Sequence, residues 1–298
     1  MSAENSTQPY YVPAQSRLPI CMAIAMAATV IGAGTMINGL SSENVGGISR
    51  WLFFGGLLAI VGTMAVWFTN VIRENHAGKY NDQLNRSFVW GMGWFIFSEV
   101  MFFAAFFGAL YYVRSFAVPW LGGEGEKGIS NMLWPGFQAS WPLMSTPDGT
   151  LFPGPAQVID PFHIPLLNTI LLLSSSFTLH VAHTALKQGN RAKLKLWLAA
   201  TIILGFVFLG FQIAEYGEAY SSLGLTLNSG IYGSTFFMLT GFHGAHVTIG
   251  AIMLSIMLWR VLKGHFKPEE HFGFEAASWY WHFVDVVWVG LFLFVYIL

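Results

Sequence analysis

Seven apolar segments, each long enough to cross a lipid bilayer, dominate the sequence. Each reaches the ~20 residues that a helix needs to cross a ~30 Å hydrocarbon core. Their predicted bounds are 19–40, 51–71, 88–113, 162–186, 195–216, 231–259 and 277–297. Because a backbone inside lipid must satisfy its own hydrogen bonds, such segments form helices. The sequence therefore predicts an all-α membrane protein with seven transmembrane helices.

Composition separates this chain from soluble and nucleic-acid-binding proteins. Hydrophobic residues make up 54% of the chain and charged residues 10%, far from the composition of a soluble domain. The net charge of −1 and the lack of a basic block exclude the electrostatic footprint of a nucleic-acid binder. A single cysteine, Cys21, allows neither an intrachain disulfide nor a cysteine metal cluster.

Basic residues predict the orientation, because cytoplasmic connections retain Lys and Arg. With the N-terminus inside, the outer side carries only three of the 14 basic residues: Arg50, Arg114 and Lys127. The N-terminus is therefore expected in the cytoplasm and the C-terminus outside. Residues 1–15 lack the pattern of a signal peptide, so 1–18 is predicted to stay as a cytoplasmic segment.

One long connection, at 115–161, leaves the membrane on the outer side. Its Gly, Pro and Trp clusters predict turns and no helix. Trp134, Trp141 and Phe152 favour a packed cap or a contact with a partner protein.

Glu99 lies near the middle of the third segment, where a bare carboxylate is costly. Burial favours the neutral form of a carboxyl group. We therefore predict that Glu99 is protonated at neutral pH or else is paired with a polar group on a neighbouring helix. A purely structural role as a hydrogen-bonded link between helices stays open.

Histidines form a second group of intramembrane candidates. They are His180, His183, His243, His246 and His282. The first four form two i,i+3 pairs, each on one helix face, and imidazoles that face a bundle interior can bind haem iron or copper. Against a metal site, small residues surround the second pair and favour close helix packing. No carboxylate or cysteine completes a familiar ligand set.

The last segment is the most unusual. Residues 279–288 (WYWHFVDVVW) place His282 and Asp285 in an aromatic, apolar stretch. Ionisable groups at membrane depth mark functional candidates by default, and we count these two among the buried polar, proton-related positions.

Charged residues also gather at the helix ends. Arg73 and Glu74 follow the second segment, and Arg260, Lys263 and His265 end the sixth. Such groups either bind anionic lipid head groups or act as ordinary positive-inside anchors. At the outer end of the fifth segment, Glu215 and Glu218 are expected to form a solvated helix end.

These residues carry a resemblance to subunit III of haem-copper cytochrome c oxidases of the aa3 type. The matching motifs are VIRE at 71–74, FSEV at 97–100, PLLNT at 165–169, GSTFF at 233–237, GFHGAH at 241–246 and HFGFE at 271–275, followed by 279–288. The series covers most of the chain between Trp67 and Trp288, and its order is highly specific.

The resemblance implies a particular arrangement of the seven helices. A first pair at 19–71 is set apart from a five-helix bundle at 88–298, and a lipid-filled V-shaped cleft separates the two. Residues 72–87 form the cytoplasmic connection between them, and the bundle includes the outer loop at 115–161.

It also implies a non-catalytic subunit without its own haem or metal. Haem a, haem a3 and copper belong to the partner subunits I and II, and cytochrome c donates electrons to the complex. The family's subunit III binds phospholipid, stabilises subunit I, supports proton uptake and is compatible with a respiratory supercomplex. The resemblance places Arg73, Glu74, Arg260, Lys263 and His265 near lipid head groups and makes Glu99 the family's buried acid.

Two other functions stay open at this point: subunit III of a quinol oxidase, and an independent membrane redox or transport protein that uses the histidine pairs. The chain also departs from the family, because Tyr80 or Asn81 stands where a histidine is usual and puts one lipid contact in doubt. The long outer loop favours a bacterial inner membrane over a mitochondrial one.

Overall fold

The computed structural model describes residues 11–12, 15–41 and 46–298. The predicted N-terminal segment 1–18 therefore lies largely outside the described residues. Within the described part, all regular structure is helical. The α-helices are α1 (Leu18–Ser41), α2 (Gly47–His76), α3 (Asp82–Tyr112), α4 (Val118–Leu121), α5 (Ile164–Lys187), α6 (Arg191–Ser221), α7 (Gly230–Leu262) and α8 (Phe272–Leu291).

Seven helical segments of the described chain are long and apolar enough to cross a membrane, which confirms the predicted number of spans. Most extend beyond the predicted bounds. For example, α6 begins at Arg191 and α7 ends at Leu262, past the charged residues that limited the prediction. A helix satisfies its own backbone hydrogen bonds, so it continues from the hydrocarbon core into the polar interface without cost.

The long connection predicted at 115–161 begins later than the sequence predicts. A π-helical turn over Val113–Ala117 joins α3 to α4, so the third span runs from Asp82 to Leu121. The prediction of turns from residue 115 was therefore wrong as far as Leu121. The shifted hydrogen-bond register places Pro119 in the first turn of α4, where its missing N–H needs no acceptor. Later in the loop, Gly128–Leu133 forms a 3₁₀ helix.

The chain divides into two compact units, Met1–Phe88 and Val89–Leu298. In the first unit, α1 and α2 pack so closely that a side chain at two glycines would collide with the other helix. A Cβ atom at Gly32 would collide with the backbone nitrogen of Phe53, and one at Gly56 would collide with the hydroxyl of Thr29. Small residues that let backbones approach are typical of membrane helix pairs.

In the second unit, α5, α6, α7 and α8 surround a core of large aromatic side chains. Trp281 is fully buried, and its indole N–H donates to the hydroxyl of Ser175 at 2.9 Å. Gly205 on α6 and Gly250 on α7 make room for its ring, since a Cβ at either position would lie less than 3 Å from it. The aromatic C-terminal segment is therefore the centre of the bundle.

Helix α3 packs against the outside of this four-helix core through aromatic side chains. Phe102 lies edge-on to Phe242 of α7 with ring centroids 5.0 Å apart, and Phe95 stacks on Tyr280 of α8 at 6.1 Å. The long loop between α4 and α5 also packs on the bundle, because Trp141 lies edge-on to Tyr232 at 5.6 Å. The packed cap expected from its tryptophans is thus confirmed at Trp141.

Candidate functional site: polar residues at membrane depth

Glu99 of α3 and His246 of α7 form a pair between helices. Their Oε2 and Nε2 atoms are 2.9 Å apart, and both side chains are largely buried. This confirms the pairing that the sequence allowed for Glu99. That Glu99 itself carries the proton stays a prediction.

The hydrogen bonds of His246 define how many protons the pair holds. Its Nδ1 lies 2.6 Å from the carbonyl oxygen of Phe242, which can only accept, so Nδ1 carries a hydrogen. The contact between Nε2 and Glu99 then needs one more proton, held by either the imidazole or the carboxyl. In both arrangements the pair is neutral overall, which lowers the cost of burying it.

His282 and Asp285 of α8 form a second polar group with Ser176 of α5. The Nδ1 atom of His282 lies 2.8 Å from the Ser176 hydroxyl and 3.5 Å from Oδ2 of Asp285. Asp285 is almost fully buried, whereas the His282 side chain is 40% exposed. The His282 imidazole therefore lies at the surface of the bundle, and its Nδ1 atom contacts the Ser176 hydroxyl on the inner side of the ring.

His243 stands apart from its sequence neighbour His246. It is fully buried, and its ring lies 5.8 Å from Phe208 and 5.1 Å from Trp288. Within the described residues neither of its ring nitrogens has a hydrogen-bond partner. Although they share a face, the two histidines of this pair contact different neighbours.

The two histidines of the pair on α5 also have different surroundings. His180 is exposed, whereas the ring of His183 lies 5.5 Å from that of His271 and 5.6 Å from that of Phe274. Across the described part of the chain, no three His, Cys, Asp or Glu side chains come close enough to hold a metal ion together. The geometry thus gives no support to a redox centre built from His180, His183, His243, His246 and Glu99.

At the end of α2, Arg73 is exposed and Glu74 is held in place. The Tyr80 hydroxyl lies 3.2 Å from Oε2 of Glu74 and 3.1 Å from the carbonyl of Val71. Burial, followed by the hydrogen bond and charge of Glu74, raises the pKa of Tyr80 above its ordinary value. The nearby Asn81 side chain accepts from the Leu84 N–H and caps α3. Neither role was evident from the sequence.

At the end of α7, the predicted head-group residues differ in exposure. Arg260 is buried, and its guanidinium lies 4.3 Å from the centre of the Phe266 ring. Lys263 is exposed, and His265 is half-buried with its ring 6.0 Å from that of Trp259. Among these three, Lys263 is the side chain most accessible to a lipid.

The expectation of a solvated end for α6 was wrong for Glu215. Glu218 is exposed, but Glu215 is only 1% exposed and accepts a hydrogen bond of 2.7 Å from the Tyr296 hydroxyl. The signal was present in the spacing, since the buried positions Phe208, Gln212, Glu215 and Ala219 recur every three or four residues.

Comparison with known proteins agrees with the resemblance. The family model described as "Cytochrome c oxidase subunit III" matches residues 8–126 and 129–298. The chain belongs to the cytochrome c oxidase subunit III family. It is 41% identical over 249 residues to "Cytochrome c oxidase subunit 3" of Squalus acanthias, covering 83% of this chain and 84% of the relative. The protein of the same name from Papio hamadryas is 44% identical over 242 residues, 81% of each chain.

Family membership makes this subunit III chain part of an oxidoreductase complex with other oxidase subunits. Together with the seven spans, it identifies a multi-pass membrane protein. The family match covers the intramembrane polar residues and the ends of α2 and α7.

Proposed function

We propose that this chain is a non-catalytic core subunit of a cytochrome c oxidase, which reduces O2 to water and couples the reaction to proton pumping. The redox centres, haem a, haem a3 and copper, would belong to partner subunits I and II, and cytochrome c would supply the electrons. The observation that carries this proposal is the separation of the intramembrane histidines. Each contacts different neighbours, as expected of residues that pack and pair helices.

A second part of the proposal concerns support of subunit I. The half-exposed imidazole of His282 lies at membrane depth, where polar groups face a protein interior or a water-filled cavity. A surface that presents such a group suits a neighbouring subunit better than lipid. The Glu99–His246 pair and the His282–Asp285 group are the buried polar sites through which the chain would support proton uptake by the complex.

Phospholipid binding is the third part. The exposed cations Arg73 and Lys263 lie at the ends of α2 and α7, where head-group phosphates are found. Glu74, which the Tyr80 hydroxyl contacts, would form part of the site at the end of α2. The buried Arg260, which packs on the Phe266 ring, would form part of the site at the end of α7. His265 lies beside Lys263 and would complete the second site.

The orientation follows from the basic residues. We place the N-terminus in the cytoplasm and the C-terminus on the outer side of a bacterial inner membrane, because most of the Lys and Arg lie in the connections after α2, α5 and α7 or in the helix ends that flank these connections.

Purification through a tag on this chain tests the supporting role. We expect haem-bearing subunit I and copper-bearing subunit II to co-purify, and cytochrome c oxidation to persist but to decay during turnover once this chain is removed. A subunit purified alone with stoichiometric haem or copper of its own would overturn the proposal.

Variants test the lipid part separately. The double variant Arg73→Gln/Lys263→Gln should lose bound phospholipid and inactivate faster during turnover than the wild-type complex. Lys193→Gln, which removes an exposed charge from the start of α6, is the matched control. If the double variant keeps both its lipid content and its active lifetime, the lipid role is wrong.

A further inference from the structure

An apolar cluster lies on the loop that follows α4. It consists of Ile129, Met132 and Leu133, which are 75%, 78% and 75% exposed. All three belong to the short 3₁₀ helix Gly128–Leu133. Side chains three positions apart eclipse each other in such a helix, so Ile129 and Met132 share one face. Exposed apolar side chains are ordinary where lipid surrounds a helix, and the position of this cluster relative to the bilayer therefore decides what covers it.

Helix length places the cluster outside the bilayer. The helical segment Asp82–Leu121 has 40 residues, about twice the ~20 that cross a hydrocarbon core. Arg114 and the exposed Tyr111 and Tyr112 are typical of a membrane interface, which therefore lies near them. Leu121 is ~10 Å further along the helix than Arg114, whereas a head-group layer is only about 5–8 Å thick. Helix α4 therefore ends beyond the head groups.

The 3₁₀ helix is fixed to this end of α4. The side-chain amide of Asn131 donates to the carbonyl of Leu121 at 3.1 Å. A Cβ atom at Gly128 would collide with the backbone of Gly123, so the 3₁₀ helix also packs closely on the turn that follows α4. The apolar cluster is thus held at a fixed place where lipid does not cover it. Exposed apolar patches of this kind mark sites of interaction with another protein.

Acids border the apolar cluster. Glu124 and Glu126 lie in the turn against which the 3₁₀ helix packs, and both are exposed. The sequence places one cation in this turn, Lys127, and its ammonium group lies 4.6 Å from the centre of the Trp120 ring. A surface that complements this one therefore has an apolar centre and a rim of Lys and Arg. Two copies of this loop would repel each other through their acids, which disfavours a second copy of the chain as the partner.

We propose that the apolar cluster docks in an apolar groove, bordered by Lys and Arg, on the extramembrane domain of another subunit of the same oxidase complex. Such docking requires that the chain assembles with other oxidase subunits, and it rests on this part of the proposed function. A permanent partner fits better than a transient one, because permanent interfaces are the more hydrophobic class. The 3₁₀ helix is already formed, so docking costs little conformational entropy.

Photo-crosslinking in the purified oxidase complex tests this docking. The photoreactive amino acid p-benzoylphenylalanine, in place of Met132, attacks C–H bonds of whatever covers that position. We expect a cross-link to one other subunit, at a peptide outside its transmembrane segments that contains aliphatic residues together with Lys or Arg. The same amino acid in place of Glu269, an exposed residue between α7 and α8 at the opposite end of the bundle, is the control and should not reach that peptide.

Substitutions within the cluster and its rim separate docking from mere proximity. With p-benzoylphenylalanine in place of Ile129, the substitution Leu133→Asp should lower the cross-link yield about tenfold, because a carboxylate is costly to bury in an apolar groove. Leu133 is exposed in this chain, so its replacement leaves the fold intact. Glu126→Lys should also lower the yield, through repulsion from the cationic rim, whereas Glu269→Lys should not.

Failure of the docking and failure of the proposed function give different results. The apolar cluster is not a docking surface if the complex co-purifies but the label at Met132 reaches only lipid, only a second copy of this chain, or nothing. The same conclusion follows if Leu133→Asp leaves the yield from the label at Ile129 unchanged. A chain that purifies without other subunits would instead overturn the proposed function, and the docking with it.

Discussion

The Nε2 atom of His246 lies 2.9 Å from Oε2 of Glu99, and this contact is a polar link within an aromatic interface. Around it, α3 meets α7 and α8 through phenylalanine and tyrosine rings such as Phe103, whose centroid is 5.0 Å from that of His246. Aromatic packing alone tolerates rotation of a helix, whereas a hydrogen bond between two specific atoms fixes its register. The pair therefore sets the position of α3 on the bundle.

A double-mutant cycle on this pair should show coupling. Glu99→Ala and His246→Ala each leave a buried partner unsatisfied, which costs about 1–3 kcal/mol of the free energy of unfolding. The coupling energy should be about 0.6 kcal/mol, the average from double-mutant cycles on hydrogen bonds between membrane helices, and at most about 1.7 kcal/mol. Unfolding of the subunit in mixed micelles measures both quantities.

Ser98→Ala provides the control for that cycle. Its hydroxyl donates to the carbonyl of Phe95 in the same helix, at 2.7 Å, so its removal breaks no link between helices. Additive effects of Glu99→Ala and His246→Ala would show that the contact does not position α3.

The space around Trp281 gives a second prediction. An alanine at Gly205 or Gly250 would place its Cβ 2.6 or 2.8 Å from the indole ring, and overpacking of this kind costs about 1–3 kcal/mol. Gly210→Ala and Gly244→Ala are the matched controls on the same helices, because nothing lies within 4 Å of a Cβ there. We expect a lower unfolding temperature for Gly205→Ala and Gly250→Ala than for the wild type. The two control variants should show no such decrease. Equal behaviour of Gly205→Ala and Gly210→Ala would contradict the packing described.

Hydropathy and the cost of buried charge were enough to predict the seven spans and to single out Glu99. They could not identify its partner, because His246 lies 147 residues away and the chain offers several other intramembrane histidines. Glu215 was misjudged for a different reason. Its position near a helix end suggested solvent, but the π-helical segment Phe292–Ile297, which continues α8, brings the Tyr296 hydroxyl to it. The spacing of α6 indicates that Glu215 is buried, but local sequence does not identify the partners His246 and Tyr296, which come from distant segments.

The long loop between α4 and α5 should respond to acid through Asp148. The Thr150 hydroxyl, with the N–H groups of Leu151 and Thr150, holds the pKa of the Asp148 carboxyl below its ordinary value. A group whose pKa is lowered by folding stabilises the fold above its unfolded pKa and loses that effect as the pH falls. Amide protection at Thr150 and Leu151, measured by hydrogen exchange, should therefore decline below about pH 4.

The variant Asp148→Ala should remove that protection already at neutral pH, because all three hydrogen bonds lose their acceptor. Glu124→Gln, an exposed acid earlier in the same loop, serves as the control and should leave the two amides protected. Protection that is independent of both pH and Asp148 would show that other contacts hold this turn.

Tyr80 should remain neutral in alkali well beyond an ordinary tyrosine. Its pKa is raised first by burial and then by the hydrogen bond and charge of Glu74. Because the folded pKa lies above the unfolded value, the stabilisation by this phenol is complete below about pH 10 and is lost as the pH rises through the folded pKa. Tyrosinate absorbance, compared between wild type and Tyr80→Phe, isolates the titration of the Tyr80 phenol.

The variant Glu74→Gln tests the two causes of the raised pKa separately. Since burial is the larger cause, this variant should leave the pKa of Tyr80 above its ordinary value. A full return to the ordinary value would show that Glu74 alone raises the pKa.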